Sequence, residues 1–205
     1  MKTILIHGLG QTSSAWDKVK QNLNNKDDII SIDLFSDIES PISYEKVYSK
    51  FEKILNGYNV KVRLCGLSLG GILALNYASR YPKKVDSLVL IAIPYIVSQE
   101  LKIKQNEMFN QMPEEAFMGL GMKKNDFINL VNTTYNVDIP SNVNEIKCKT
   151  LIVCGKNDAI NLDSSKIIHN IIQNSELSIV NNAGHTVNTD NPDELSKVLN
   201  KFLNM

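Results

Sequence analysis

The pentapeptide Gly66-Leu67-Ser68-Leu69-Gly70 lies between an apolar run starting at Val60 and an apolar stretch of helical period that continues to about Tyr81. Strand, tight turn and helix in that order are the setting in which Gly-x-Ser-x-Gly becomes a nucleophile elbow. The turn forces its central residue into strained backbone angles, and the flanking glycines let strand and helix approach closely. Ser68 then stands exposed above the strand end, beside a helix N-terminus with unpaired N–H groups and a partial positive charge. A hydroxyl presented in this way can act as a nucleophile.

The elements that must hold this turn recur along the chain. Apolar strand-like runs are expected at residues 3–6, 29–34, 60–65, 85–93, 150–154 and 177–180. Helical patterns separate them. One, with Trp16, Val19, Lys20 and Leu23 in phase, is capped by Thr12 or Ser13, and a second runs from Tyr44 to Leu55. A third carries Ile167, Ile168, Ile171 and Ile172 on its buried side. The last is opened by Asn191 as cap and Pro192 at the first helical position. Six strands alternating with helices predict an α/β fold, an open and mostly parallel six-stranded sheet with helices on both faces. Residues 1–205 read as a single domain. Between the fourth and fifth strands, about residues 95–145, no strand is evident. Short helical segments there are broken by Pro113, Gly119, Gly121 and Pro140, an insert of the right size for a helical lid.

Composition narrows the function classes. The 205 residues are 43% hydrophobic and 21% charged, ordinary for a globular protein. Lysine plus arginine equals aspartate plus glutamate, at 22 each, so no net field recruits nucleic acid or an anionic membrane. No stretch approaches a membrane span, and the apolar run at the N-terminus is too short for a signal-peptide core. Cys65, Cys148 and Cys154 have no metal-ligand spacing and read as reduced thiols of a cytoplasmic protein.

In an open parallel sheet the loops at the carboxyl ends of the strands gather along one edge. Four polar loops leave such ends here: His7-Gly8-Leu9-Gly10, the Ser68 elbow, Gly155-Lys156-Asn157-Asp158 and Ala183-Gly184-His185. With Trp16 behind the first and Asn191-Pro192 behind the last, they resemble the α/β-hydrolase fold family. The nearest branch is that of small serine esterases and lipase-like hydrolases, and the matching pieces span nearly the whole chain in the family's order. The resemblance implies Ser68 as nucleophile, His185 as general base and Asp158 as the carboxylate that orients the imidazole. It also implies an oxyanion hole formed by the backbone N–H groups of Leu9 and Leu69. Asp163 competes with Asp158 but reads better as a helix N-cap, and Asp33 is a weaker competitor from the second strand. His7 and His169 read as structural, and Trp16 as a packing residue. Two departures from the family stand out. The chain opens at the strand before His7-Gly8, without the two leading strands of larger members, and the loop after the second strand lacks a Pro-Gly-His-Gly-type turn.

The insert holds every internal methionine of the chain. Met108, Met112, Phe117 and Met118, with Phe109, Met122 and Phe127, would form an adaptable apolar roof or simply pack the insert onto the core. Met108, Met112, Phe117 and Met118 are the candidate substrate contacts. The leading expectation is a cofactor-independent, metal-free hydrolase of small or medium apolar carboxylic esters, acting through an acyl-enzyme on Ser68. A thioesterase or acyltransferase would use the same triad; no Arg or Lys cluster suggests a grip on the phosphates of coenzyme A, although Lys102, Lys104, Lys123 and Lys124 are available. Relatives that are dehalogenases or epoxide hydrolases need a carboxylate where this chain has Ser68. A lyase or peroxidase of the same fold is compatible with the triad. A non-enzymatic small-ligand receptor is the alternative of another class, for which a base behind the hydroxyl has no use.

Overall fold

Both alternating sets of strand side chains are apolar in this chain, so each face of the sheet must be covered. Ile4, Ile6, Leu64, Leu88, Leu90 and Ile152 enter one core. Leu5, Cys65, Val89, Ile91, Leu151 and Val153 enter the other. The computed structural model describes residues 1–118 and 120–204. Its strands are β1 (Thr3–Ile6), β2 (Ile29–Ile32), β3 (Val62–Leu67), β4 (Val85–Ile91), β5 (Lys149–Gly155) and β6 (Ser175–Val180). They form one open sheet in the order β2-β1-β3-β4-β5-β6, and every pairing is parallel.

The helices are α1 (Asp17–Asn22), α2 (Tyr44–Asn56), α3 (Leu69–Arg80), α4 (Gln99–Gln111), α5 (Glu115–Met118), α6 (Lys124–Thr134), α7 (Ile139–Asn144), α8 (Leu162–Ile171), α9 (Val187–Asp190) and α10 (Pro192–Leu203). From β1 the chain moves outward to β2, then returns past β1 to β3. Right-handed crossovers place the connecting helices on opposite faces for these two directions. Val19 of α1 therefore packs in one core with Leu195 and Leu199 of α10, while Phe51 of α2 and Tyr77 of α3 pack in the other. The loops leaving β1 and β3 diverge at this switch point and open a crevice at their carboxyl ends.

Several local expectations are corrected. The sequence pattern carries the second strand to Leu34, but β2 stops at Ile32 and the Leu34 N–H is taken by His7 Nε2 at 3.0 Å. β4 stops at Ile91 rather than residue 93, because Ala92 turns to a φ of 51°. Pro140 starts a helix instead of breaking one. It lies in the first turn of α7, where a missing N–H costs nothing, behind an Asp138 cap that accepts from the Ser141 N–H at 3.0 Å. Ile167 is exposed, while Ile168 and Ile172 face the core. Thr12 makes no cap bond, its hydroxyl pairing with that of Ser14 at 2.7 Å. Asn191 caps α10 as expected, accepting from the Glu194 N–H at 3.2 Å. The expected break at Gly119 lies outside the described residues.

Candidate active site

Ser68 joins β3 to α3 with φ 52° and ψ −116°, a backbone conformation that side chains other than glycine rarely adopt. Its N–H donates to the Ile91 carbonyl at 2.8 Å, so β4 anchors the turn. Gly66 has no alternative there. A Cβ on it would run into the Gly70 carbonyl group and the Gly71 nitrogen, all main-chain atoms that cannot swing aside. α3 buries ten of its residues, from Leu69 to Ala78, so the helix behind the turn is fixed in the core.

His185 reaches the same point from the loop after β6, its Nε2 lying 3.0 Å from Ser68 Oγ. The other ring nitrogen, Nδ1, lies 3.0 Å from Asp158 Oδ2 at the end of β5. A carboxylate can only accept, so Nδ1 carries the proton and Nε2 is free to accept from the serine hydroxyl. Asp158 is buried, which alone would raise its carboxyl pKa. Hydrogen bonds from His185 and from the side chain and backbone of Asn161 outweigh burial and hold it below the usual carboxylate value.

Asn161, absent from the sequence-based candidates, is part of this arrangement. Its Nδ2 donates to Asp158 Oδ1 at 3.1 Å and to Oδ2 at 2.9 Å, and its backbone N–H donates to Oδ1 at 3.1 Å. The same Nδ2 stands 3.2 Å from His185 Nδ1. Both atoms are donors, so that approach is a contact across a shared carboxylate rather than a bond. A signal is present in the sequence: an Asn three residues after the acid and at the start of a helical pattern. The capping pattern assigns Asp163 to the start of that helix, yet Asn161 occupies the position. Asp163 sits inside the first turn, exposed and paired with Lys166 at 2.8 Å. Asp33 lies beside a different imidazole, its Oδ1 3.8 Å from His7 Nε2.

Leu9 and Leu69 border the same cavity as Ser68 and His185. Among the described residues neither amide N–H finds an acceptor, so both remain available to a ligand oxygen. The loop carrying Leu9 is tied to the loop carrying His185. Gly8 N–H donates to Gln11 Oε1 at 3.2 Å, and the Gln11 and Asn188 amides bond to each other at 3.1 and 3.2 Å. Asp190 braces the His185 turn by accepting from the Gly184 N–H at 2.7 Å and the Thr186 hydroxyl at 2.9 Å. His7 is buried below the site. It donates from Nδ1 to the Gly8 carbonyl at 2.8 Å while Nε2 accepts from Leu34.

The cavity has a volume of about 540 Å³, within the roughly 300–1,000 Å³ of small-molecule sites. Its outer wall comes from the helices between β4 and β5, but not through the side chains expected from the sequence. Met108, Met112, Phe117 and Met118 all lie off the cavity. α4 turns Leu101, Lys102, Gln105 and Phe109 inward, a spacing that leaves Met108 facing solvent. Met112 packs on the core, Met118 is exposed, and Phe117 is fully buried against Phe127, with ring centroids 5.1 Å apart. Among the described residues no group of three His, Cys, Asp or Glu side chains is placed to hold a metal ion. No helix among them is long and apolar enough to cross a membrane.

Comparison with known proteins agrees with this architecture. A Bacillus subtilis (strain 168) protein provisionally named 2-succinyl-6-hydroxy-2,4-cyclohexadiene-1-carboxylate synthase is 23% identical over 246 residues, covering 98% of this chain and 89% of that protein. The mouse (Mus musculus) monoacylglycerol lipase ABHD6 is 23% identical over 251 residues, covering 98% of this chain and 74% of its own length. Among solved structures, the enol-lactonase from Burkholderia xenovorans LB400 superposes with a TM-score of 0.84 over 99% of this chain and 91% of that one, at 15% identity. The family model described as alpha/beta hydrolase fold matches residues 4–116, more than half of the sequence. By its sheet order, its strained serine turn and this match, the chain belongs to the alpha/beta hydrolase fold family.

Proposed function

We propose that this protein is a serine hydrolase that cleaves a small or medium, largely apolar carboxylic ester through an acyl-enzyme on Ser68. The observation that carries the reading is the relay of 3.0 Å from Ser68 Oγ to His185 Nε2 and 3.0 Å from His185 Nδ1 to Asp158 Oδ2. A serine hydroxyl is almost fully protonated at neutral pH and attacks only if a base takes its proton as the new bond forms. In this reading His185 Nε2 accepts that proton while Ser68 Oγ bonds to the ester carbonyl carbon. Asp158 keeps the proton on Nδ1 and stabilises the imidazolium. The oxyanion is held by the Leu9 and Leu69 amides, each donor contributing about 3–4 kcal/mol of transition-state stabilisation in comparable sites. His185 then returns its proton to the leaving alkoxide, and a water repeats the sequence to release the acid.

In the same reading, residues from about 95 to 145 act as a lid, supported by the cavity wall that α4, α6 and α7 contribute. All three cysteines are free, which supports a reducing, cytoplasmic setting. The experiment is a series of short- and medium-chain p-nitrophenyl esters with wild type and Ser68→Ala. A burst followed by turnover in the first, and neither in the second, is the expected result. Comparable turnover by Ser68→Ala excludes acyl transfer through this serine. Thiol esters of the same acyl groups separate a thioesterase from an esterase through the ratio of their kcat/KM values.

A further inference from the structure

One wall of the cavity carries a charge that the ester chemistry above does not use. Lys102 faces the cavity from α4, half-buried, and is the single lysine or arginine among the described residues that line it. Its ammonium lies 5.0 Å from the centroid of the Tyr135 ring and makes no ion pair or hydrogen bond among the described residues. The two carboxylates on the cavity wall are otherwise engaged. Asp158 is held by His185 and Asn161, while Asp138 accepts from the Ser141 N–H at 3.0 Å and the Ser141 hydroxyl at 2.7 Å.

Gln105 stands one helical step from Lys102 on the same face of α4. Its Oε1 accepts from the Tyr135 hydroxyl, which leaves its Nε2 as a donor with no acceptor among the described residues. An ammonium and an amide N–H on adjacent side chains suit the two oxygens of a carboxylate. A half-buried cation without a counter-ion also binds an anion more strongly than an exposed one, because less water screens it.

We infer that Lys102 and Gln105 form a carboxylate-binding subsite, and that the ester cleaved here carries a carboxylate apart from its scissile carbonyl. This rests on the ester-hydrolase reading, since Ser68 and Lys102 border one cavity and a single small molecule can meet both. The body of that molecule is apolar, in contact with side chains such as Leu101, Phe109 and Val131, and one end is anionic.

The test compares pairs of esters that differ only in charge. Mono-p-nitrophenyl glutarate against p-nitrophenyl pentanoate places the carboxylate on the acyl side. The acetyl ester of 4-hydroxybutyrate against butyl acetate places it on the alcohol side. In at least one pair the wild type favours the acidic ester tenfold or more in kcat/KM. Lys102→Met removes that preference, and Lys102→Arg restores most of it. Equal kcat/KM within both pairs, or a preference that Lys102→Met leaves unchanged, overturns the inference while the hydrolase reading stands. A binding arm is independent of turnover: monomethyl glutarate and dimethyl glutarate are titrated calorimetrically into the Ser68→Ala protein. At least tenfold tighter binding of the monoester, lost when Lys102→Met is added, supports the subsite, and equal affinity overturns it.

Discussion

Asn161 and Asp158 share three hydrogen bonds, two from the Asn161 side-chain amide at 3.1 and 2.9 Å and one from its backbone N–H at 3.1 Å. The amide bridges both carboxylate oxygens and so sets the rotation of the group that faces His185. In Asn161→Ala the backbone bond survives and the bridge is lost, so the Asp158 pKa moves up toward the ordinary carboxylate value. Hydrogen bonds to charged groups contribute about 1.5–3 kcal/mol, so kcat/KM on a p-nitrophenyl ester should fall roughly tenfold to a hundredfold, with Tm lowered only slightly. An unchanged rate would show that Asp158 keeps its orientation without the amide.

Asp158→Asn tests the tautomer argument. The amide introduced by this substitution can donate to His185 Nδ1, which drives the ring proton to Nε2. There it faces the Ser68 hydroxyl, and the ring can no longer accept from it. A loss of roughly ten-thousand-fold in kcat is the expected outcome, as in comparable Ser-His-Asp arrangements, with the fold intact by circular dichroism. A loss below tenfold would mean that His185 is oriented by something else.

The Gln11–Asn188 amide pair connects segments 177 residues apart and fixes the Gly8 N–H through the same Gln11 oxygen. Gln11→Ala should therefore disturb the position of the Leu9 amide relative to His185. Expected is a fall of about three- to thirtyfold in kcat with KM changed less than twofold, because in the proposed mechanism this donor acts on charge that develops only in the transition state. Gln11→Glu retains an oxygen to accept from Gly8 N–H and should recover part of the loss. A change confined to KM would point to substrate contact instead.

His7 makes stability depend on pH. Burial holds its imidazole below the ordinary value of 6.5, against opposing pulls from its bond to the Gly8 carbonyl and from Asp33. Protonating Nε2 would also set two N–H groups against each other, since Leu34 N–H already points at that atom. The unfolded chain therefore binds more protons than the folded one as pH falls below about 6.5, and stability drops through that window until the folded-state pKa is passed. Asp158, also lowered, adds its own loss only below its reference value of 3.8. Urea midpoints at pH 7.5 and 5.5 should differ for wild type. In His7→Phe the difference should shrink, with stability at pH 7.5 reduced by about 1–3 kcal/mol for the stranded Leu34 N–H. Identical pH dependence in both proteins would remove His7 from the account.

The parallel sheet was legible because two apolar faces leave the strand runs no other arrangement, and the elbow because Gly66 and Gly70 bracket Ser68. The loops bearing Asp158 and His185 were legible from their strand-end positions. What could not be read was phase. Methionine and phenylalanine residues concentrated in the insert suggested which side chains face inward. Yet a helix of 13 residues turns only one side to a cavity, and for α4 that side is Leu101, Lys102, Gln105 and Phe109. Composition carries no information about which stripe that is when α4 buries no side chain fully. Asn161 escapes sequence reasoning for a different reason. Its role depends on a loop conformation that brings an amide back over an acid three positions earlier, and helix-capping rules point at Asp163 equally well.

α3 and α4 have opposite standing in the molecule. The first is enclosed almost throughout its length, so any change there threatens folding, whereas the second has no fully enclosed side chain and, apart from Phe109 with its ring 5.0 Å from that of Phe127, tolerates replacement at little thermodynamic cost. Descent with modification can consequently reshape the cavity wall, one α4 residue at a time, while the arrangement of Ser68, His185 and Asp158 stays constant. Libraries randomised at Leu101, Lys102 and Gln105 should yield mostly folded variants with redirected selectivity, a division of labour between a permanent frame and an exchangeable fitting.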